Sequence, residues 1–260
     1  MKLTDEMNSL FARLDDLCEL SDKGEVAVSA FLSPRERVGA ERHLKAHGAR
    51  YFCFGGYENA ERQKAYILPD YMEGVESVAQ LKEYGYSENI ACVVVEPSGY
   101  RALTHRDYMG SVLGLGVERA VIGDILVYDD GSAVVIGDEL ICDFLKENLL
   151  KVANDKVKVK VALIDTICVP ERKFAQILDT VASPRIDCIV AALCSLPREK
   201  ARVTVEAGLV EVNYEPEERP DRDVTAPSVI SVRGYGKYEV MSVCDKTKKG
   251  RYRLIAKKYI

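Results

Sequence analysis

The fold of the C-terminal part is decided by residues 183–213, which read SPRIDCIVAALCSLPREKARVTVEAGLVEVN. Ser183 is a good N-cap and Pro184 suits a first turn, so the sequence predicts a helix that starts here. Arg185 is then expected in the exposed first turn. The apolar residues of this helix recur at three- and four-residue spacing and form one stripe: Ile186, Ile189, Val190 and Leu193.

A second short helix is predicted from Arg198 to Ala207, because Pro197 interrupts the first one. Arg202 follows Arg198 by four residues, so the two side chains should share one outer face. Gly208 supplies the left-handed position that ends a helix, and Leu209–Asn213 continues as a strand. The two helices are therefore expected to bring four basic residues together: Arg185, Arg198, Lys200 and Arg202.

The distribution of charge also separates this end of the chain from the rest. From residue 183 onward there are 15 Lys and Arg against 11 Asp and Glu, whereas residues 1–182 carry 21 against 30. The overall net charge of −5 averages these unlike parts. Residues 246–251, which read KTKKGR, are typical of the tip of a basic hairpin. This basic excess predicts contact with a polyanion.

The sequence as a whole predicts an α+β fold with three small domains: 1–75, 76–168 and 183–260. Residues 1–75 contain a helix over Thr4–Leu20, a capping box at Ser33 that starts a second helix ending at Gly48, and a hairpin of Ala49–Phe54 with Lys64–Leu68. Together these elements predict an α+β N-terminal domain.

The central domain is predicted to have the order β-α-β-β-α-β, the split βαβ arrangement found in RNA-recognition motifs. Its strands lack the aromatic residues on which such motifs stack bases, so protein contact or a scaffolding role is an equal alternative. The predicted elements are Ile90–Glu96, Thr104–Leu115, Asp124–Tyr128, Ala133–Ile136, Glu139 to about Val152, and Val157–Ile164.

The C-terminal sequence resembles the αL RNA-binding domain of small-subunit ribosomal protein four, bacterial tyrosyl-tRNA synthetases and many pseudouridine synthases. The resemblance rests on Arg185-Ile186-Asp187, on Arg198–Ala201 and on Glu206–Asn213. One departure is Pro197, where that family usually has Ser, and the N-capping hydroxyl is expected from Ser195 instead.

Further motifs resemble the YlmH family: THRDYMG at 104–110, GLGV at 114–117, IGDI at 122–125 and SVRGYG at 231–236. The resemblance implies a cytoplasmic RNA-binding protein that engages tRNA, 23S rRNA and the large ribosomal subunit when stalled translation is rescued. It also implies that Arg185 and Arg198 carry RNA contact.

From the residue types and the resemblance together, twelve residues are predicted to bind RNA. Arginine pairs two phosphate oxygens at once, glycines allow close backbone approach, and tyrosine rings can stack on bases. The predicted residues are Arg185, Arg198, Lys200, Arg202, Asn213, Arg233, Tyr235, Lys237, Lys246, Lys248, Lys249 and Arg251.

Metal, cofactor and catalytic sites are not predicted. The eight cysteines never form C-x-x-C, and the pair His43 and His47 lacks an evident third ligand. Residues 114–116 lack the third glycine of a dinucleotide loop, and Thr104 with Asp107 has a capping role that accounts for His105-Arg106-Asp107. No apolar run is long enough to span a membrane, and no secretory signal is evident.

Two alternatives to a non-catalytic RNA binder stay open. An RNA-modifying enzyme would need either the Arg-Leu-Asp catalytic domain of a pseudouridine synthase or the glycine-rich loop of a methyltransferase. Only about fifty residues follow Asn213, and no such loop is evident. A cell-division or scaffolding protein could instead bind protein partners through residues 1–168.

Overall fold

The structure, a computed structural model, describes residues 2–247 and 250–260 and has a mixed α+β fold, as predicted. The chain divides into two compact units, Met1–Pro170 and Glu171–Ile260. Within the described residues, no helix combines the length and the apolar character needed to cross a lipid bilayer. The three-domain division stays a proposal, and each unit is described by itself.

The first unit contains five α-helices, three short 3-10 helices and eight strands within its described residues. The helices are α1 (Lys2–Asp22), α2 (Pro34–Ala46), α3 (Val78–Glu83), α4 (His105–Gly114) and α5 (Glu139–Asn148). The strands are β1 (Ala27–Val28), β2 (Arg50–Phe54), β3 (Lys64–Leu68), β4 (Ala91–Pro97), β5 (Ile122–Val127), β6 (Ala133–Gly137), β7 (Lys151–Val152) and β8 (Asp155–Ala162). They form a three-stranded sheet, β1-β3-β2, and a five-stranded sheet, β5-β6-β4-β8-β7.

Local sequence explains the main helix and strand boundaries in this unit. Ser33 caps α2 through its side chain, and Glu36 completes the predicted capping box. The predicted hairpin is present, because β2 and β3 pair antiparallel. Four strands of the five-stranded sheet, in the order β5-β6-β4-β8, have the neighbours expected for the split βαβ arrangement.

The predicted helix from Glu139 to about Val152 is too long. The chain leaves the helix after Asn148, and Val152 instead pairs with Asp155 in a tight hairpin whose turn includes Ala153 at a φ of +50°. Val152 is fully buried there, so burial in the sheet replaces a further helical turn. The next strand accordingly starts at Asp155 rather than at residue 157.

Both faces of the five-stranded sheet are buried. Val93 and Val135 face one apolar cluster, which includes Tyr108 from α4 and Leu145 from α5. On the opposite face, an apolar cluster joins residues of this sheet to residues from the N-terminal elements: Cys92, Val134 and Ile136 with Phe31, Phe52, Tyr66 and Met72. The two sheets of the first unit therefore share a core.

The second unit packs two short helices against one antiparallel sheet. The helices are α6 (Ile186–Leu193) and α7 (Arg198–Glu206). The strands are β9 (Phe174–Val181), β10 (Val210–Val212), β11 (Glu215–Pro216), β12 (Ser228–Val232), β13 (Gly236–Lys246) and β14 (Tyr252–Tyr259), in the sheet order β11-β10-β12-β13-β14-β9. The predicted apolar stripe of α6 lies in the core of this unit.

The start of α6 differs from the prediction. Ser183 is not its N-cap, because the helix begins at Ile186 and Arg185 has the extended backbone of the capping position. The N–H of Ile186 donates to the carbonyl of Arg222 at 2.8 Å, and the N–H of Val224 donates to the carbonyl of Pro184 at 2.9 Å. These tertiary hydrogen bonds hold the chain extended where local sequence favours a helical turn.

At α7, the predicted hydroxyl cap is also wrong. Pro197 occupies the N-cap position without a side-chain hydrogen bond, and Ser195 has a left-handed φ of +53° in the turn before it. Gly208 has the predicted left-handed backbone, with a φ of +65°. The ring of Pro197 favours the extended backbone that precedes α7, so a hydroxyl group is not needed there.

We expect Ile189→Ala to lower the free energy of unfolding of the second unit by about 3 kcal/mol, because it leaves a cavity in a closely packed core. Ile189 is fully buried, whereas Val203 on the neighbouring helix is exposed. The matched control Val203→Ala should change stability by less than about 0.5 kcal/mol. Thermal unfolding of both variants measures the difference, and equal losses would contradict the assigned core.

Candidate nucleic-acid interface

Arg185 and Arg198 meet at a single buried carboxylate, Asp187. Arg185 donates from Nε to Oδ1 and from Nη2 to Oδ2, both at 3.1 Å. Arg198 donates to Oδ2 from Nε at 3.2 Å and from Nη2 at 3.1 Å. The Asp187 side chain is 2% exposed, while those of Arg185 and Arg198 are 36% and 55% exposed. A buried anion thus fixes two guanidinium groups at the surface.

Asp187 is ionised in this arrangement. Burial by itself raises the pKa of Asp187, but hydrogen bonds from Arg185 and then Arg198 outweigh it and lower this pKa below its ordinary value. The N–H of Cys188 donates to the same carboxylate at 2.9 Å. Two guanidinium charges against one carboxylate leave the cluster with a net positive charge.

A second pair of arginines adjoins this cluster, and the sequence did not predict it. Glu217 is buried and forms ion pairs with Arg219, at 3.5 Å, and with Arg222. The segment that carries them is joined to the start of α6, since the N–H of Asp187 donates to the carbonyl of Pro220 at 3.2 Å. Two buried carboxylates therefore each hold two arginines near the N-terminus of α6.

The remaining predicted residues of α7 lie on its solvent side. Lys200 and Arg202 are exposed, and Arg202 donates from Nε to Glu206 at 2.8 Å. This is an i,i+4 ion pair along one helix. We call Arg185, Arg198, Lys200, Arg202 and Asp187 the arginine platform.

Asn213 has a structural contact that accounts for its presence. It adopts a φ of +52° in the turn between β10 and β11. Its side-chain oxygen accepts the N–H of Val229 at 2.8 Å, and its own N–H donates to the carbonyl of Val229 at 2.7 Å. Left-handed backbone favours Asn, so the turn explains the residue without RNA.

The predicted residues of the β12–β13 turn have differing exposure. Arg233 is exposed, whereas the ring of Tyr235 is partly buried against the core of the unit. Lys237 lies with Nζ 5.1 Å from the ring centroids of both Tyr214 and Tyr259. Lys237 is therefore positioned beside these two aromatic rings.

The predicted basic hairpin connects β13 to β14. Arg251 donates from Nε to the hydroxyl of Thr180 at 2.9 Å and from Nη2 to the carbonyl of Thr180 at 2.5 Å, which ties the turn to β9. Lys246 ends β13, but its side chain lies outside the described part of the chain. Lys248 and Lys249 also lie outside the described residues.

The central sheet lacks an exposed surface for stacking bases. The positions where an RNA-recognition motif presents aromatic rings lie on the central strands, here β4 and β6. Their residues Cys92, Val134 and Ile136 are buried against the N-terminal elements. Any RNA contact by this part of the chain must therefore use its other surfaces.

The first unit contains one group of described residues with the composition of a metal site: Asp15, His43 and His47, whose possible ligand atoms lie within 4.8 Å of one another. Asp15, from α1, lies where a third ligand would be needed, and its distance in sequence kept the histidine spacing from revealing it. His43 hydrogen-bonds to Asp15 at 2.7 Å, and His47 Nδ1 lies 2.9 Å from the carbonyl of His43. These contacts, with the stacking of His43 on Phe11, account for the arrangement without an ion.

The predicted capping role of Asp107 is confirmed. Its Oδ2 accepts the N–H of Thr104 at 2.9 Å and the hydroxyl of Thr104 at 2.7 Å, while its Oδ1 accepts from Arg101 at 2.5 Å. The Asp107 carboxylate is thus engaged in starting α4.

The neighbouring His105 has a lowered pKa. Burial lowers this pKa, and the nearby Arg119 lowers it further.

We expect Asp187→Asn to remove part of the acid sensitivity of the second unit. The folded-state pKa of Asp187 lies below its unfolded value of about 4. Its stabilising contribution is therefore complete above pH 4 or so and is lost as the pH falls through the folded value. Thermal unfolding across acidic pH should show a shallower decline in the variant.

The exposed Asp221 provides the matched control for this measurement. Asp221→Asn should retain the acid sensitivity of the parent chain. If Asp187→Asn and Asp221→Asn decline equally with falling pH, the carboxylate does not hold the two arginines as described.

Comparison with known proteins agrees with the sequence motifs. A family model described as "Putative RNA-binding domain in YlmH" matches residues 86–166. Over 237 residues the chain is 26% identical to Ribosome-associated protein quality control protein P2 of Bacillus subtilis (strain 168), covering 90% of this chain and 88% of that protein. A solved structure, cell division protein ylmH from Streptococcus pneumoniae, is 18% identical with a TM-score of 0.48, covering 64% of this chain and 92% of that chain. The family model and the Bacillus relative confirm the resemblance to the YlmH family seen in the motifs.

Proposed function

We propose that this protein binds structured RNA through the arginine platform and acts without catalysis in the cytoplasm, in ribosome-associated quality control of stalled translation. Its RNA partners would be tRNA and the 23S rRNA of the large ribosomal subunit. The matching RNA-binding family model and the name of the Bacillus relative support a role in RNA binding at the ribosome. The choice of RNAs follows from the family resemblance and is the part to be tested.

The observation that carries the proposal is the pair of guanidinium groups held by Asp187. Each arginine presents a planar fork that can pair two phosphate oxygens, but a free side chain loses conformational entropy when it binds. Here the carboxylate already fixes Arg185 and Arg198 while leaving them partly exposed. Orienting the two cations before RNA arrives reduces that loss.

The predicted RNA-binding residues beyond the platform are proposed as outer contacts. Arg233, Tyr235, Lys237 and Arg251, together with Lys246, Lys248 and Lys249, would widen the basic surface. Asn213 is proposed to act through the turn it stabilises. Arg219 and Arg222, whose segment is hydrogen-bonded to the start of α6, would add to the proposed RNA contact.

Three thiols of the first unit are poor candidates for a catalytic nucleophile. Burial raises the pKa of Cys53 to about 12, of Cys92 to about 11 and of Cys142 to about 12. A thiol becomes a strong nucleophile only as a thiolate, so these three are suited to packing rather than covalent catalysis. Asp107, the carboxylate of the His105-Arg106-Asp107 sequence, is engaged in capping.

We expect Arg185→Gln and Arg198→Gln each to lower affinity for tRNA about 10-fold, a loss of about 1.4 kcal/mol. Each variant leaves Asp187 with one guanidinium and the Cys188 N–H, so the fold should persist. The slope of log affinity against log salt should also fall by about 1, because one phosphate contact is lost.

Filter binding at several salt concentrations measures both effects. Arg13, an exposed arginine of α1, provides the matched control, and Arg13→Gln should bind tRNA as the parent does. Unchanged affinity in both platform variants would refute the site, as would loss of affinity accompanied by unfolding.

We also expect the protein to co-sediment with isolated large ribosomal subunits at low salt and to be released as salt rises. The Arg185→Gln/Arg198→Gln double variant should stay in the supernatant, while Arg13→Gln should pellet. Absence of the parent protein from the subunit pellet at low salt would refute the ribosomal part of the proposal.

A further inference from the structure

The second unit carries a row of aromatic rings and lysines on the sheet face opposite α6 and α7. Leu254 and Ala256 of β14 are buried in the core that includes both helices. Because side chains alternate along a strand, Lys257 and Tyr259 belong to the opposite face. Residues of β9 and β13 paired with them lie on that face as well.

Direct contacts join the members of this row across three strands. Phe174 of β9 pairs with Tyr259 of β14, and their ring centroids are 4.9 Å apart at an angle of 66°. Lys257 lies with Nζ 5.5 Å from the centroid of Phe174. Lys237 of β13 lies 5.1 Å from the centroids of both Tyr259 and Tyr214. We call Tyr214, Lys237, Tyr259, Phe174 and Lys257 the ring–lysine row.

The surface around the row is unusually apolar for a solvent-facing sheet. Leu178 is 68% exposed, and Phe174, Ile255 and Met241 are also exposed. Polar side chains normally occupy the open face of an antiparallel sheet. A cluster of exposed apolar and aromatic residues next to lysines therefore indicates a surface that is covered when the protein works.

The chemistry of the row favours unpaired nucleotides as its occupant. Every base has a flat π face that stacks on an aromatic ring, and lysines beside the rings can meet the phosphates. One carboxylate, Glu239, lies opposite Lys257 in the strand register and offsets part of the positive charge of the row. Stacking rather than charge would therefore supply most of the affinity.

We propose that the ring–lysine row binds single-stranded RNA, with bases replacing the ammonium groups of Lys237 and Lys257 over the rings of Phe174, Tyr259 and Tyr214 and with these lysines turning to the phosphates. The inference rests on the proposed RNA-binding function and adds a second class of RNA contact to it. The arginine platform would meet the backbone of a structured element, and the row would hold an unpaired segment.

A tryptophan placed in the row reports stacking directly, because the chain contains no tryptophan. Addition of oligouridine of about 12 nucleotides to Phe174→Trp should quench the indole fluorescence in a saturable way. Tyr100, an exposed residue of the first unit, provides the control position. Tyr100→Trp should show no saturable quenching by the same oligonucleotide.

Affinity measurements then separate the row from the platform. Phe174→Leu/Tyr259→Leu keeps apolar side chains but removes two rings, and it should weaken oligouridine binding about 10-fold, within the range of base–ring stacking. The same variant should bind tRNA within about 2-fold of the parent. This change is much smaller than the loss of about 10-fold expected for oligouridine. Arg185→Gln/Arg198→Gln should lose tRNA and retain oligouridine. Salt should weaken oligouridine binding less steeply than tRNA binding.

The outcomes distinguish the two proposals. If Phe174→Trp is not quenched and the leucine variant keeps its affinity for oligouridine, the row does not bind single-stranded RNA. Self-association of the parent that the leucine variant abolishes, without quenching by RNA, would overturn the proposal by identifying a protein interface. If Arg185→Gln/Arg198→Gln binds tRNA as the parent does while oligouridine still quenches Phe174→Trp, the platform is refuted and the row stands.

Discussion

The buried carboxylate of Asp187 is the interaction on which the second unit depends most. A charge that is nearly inaccessible to water must be paired, and the available partners are two arginines separated by α6 and the turn that follows it. Pairing therefore joins the start of α6 to the start of α7 and sets their relative position. The same contact leaves guanidinium groups oriented at the surface, so one pairing contributes to both stability and the candidate site.

The first unit obeys a different constraint, which is the burial of a sheet on both faces. Helices α4 and α5 cover one face, and residues of the N-terminal elements cover the other. The split βαβ topology is retained, but the surface that an RNA-recognition motif uses is inside the core. Topology and binding surface are therefore separable properties, as expected when function depends on sites rather than folds.

Much of the fold could be predicted from local sequence, and the errors have a common cause. The capping box at Ser33, the left-handed Gly208 and the apolar stripe of α6 depend on residues close together in the chain, and all three are present. The predicted start of α6 was wrong because the N–H of Ile186 donates to the carbonyl of Arg222, which lies 36 residues downstream. Periodicity cannot reveal such a partner.

The candidate site shows the same limit. Arg185 and Arg198 could be identified from a motif, and their proximity follows from two adjacent helices. Asp187 was in the motif, yet only its burial shows that it organises both arginines. Arg219 and Arg222 lie beyond the motif and come into place through hydrogen bonds of their backbone segment. For the platform itself, the available clue in the sequence was Asp187, an acidic residue that lies between Arg185 and Arg198.

The shared core of the first unit also determines how this chain can be divided for experiments. A fragment limited to residues 86–166, the span of the family model, would leave Cys92, Val134 and Ile136 without Phe52 and Tyr66. An apolar sheet face in water attracts other copies of itself. Such a fragment would form insoluble material, and expression boundaries that retain the N-terminal strands avoid this outcome.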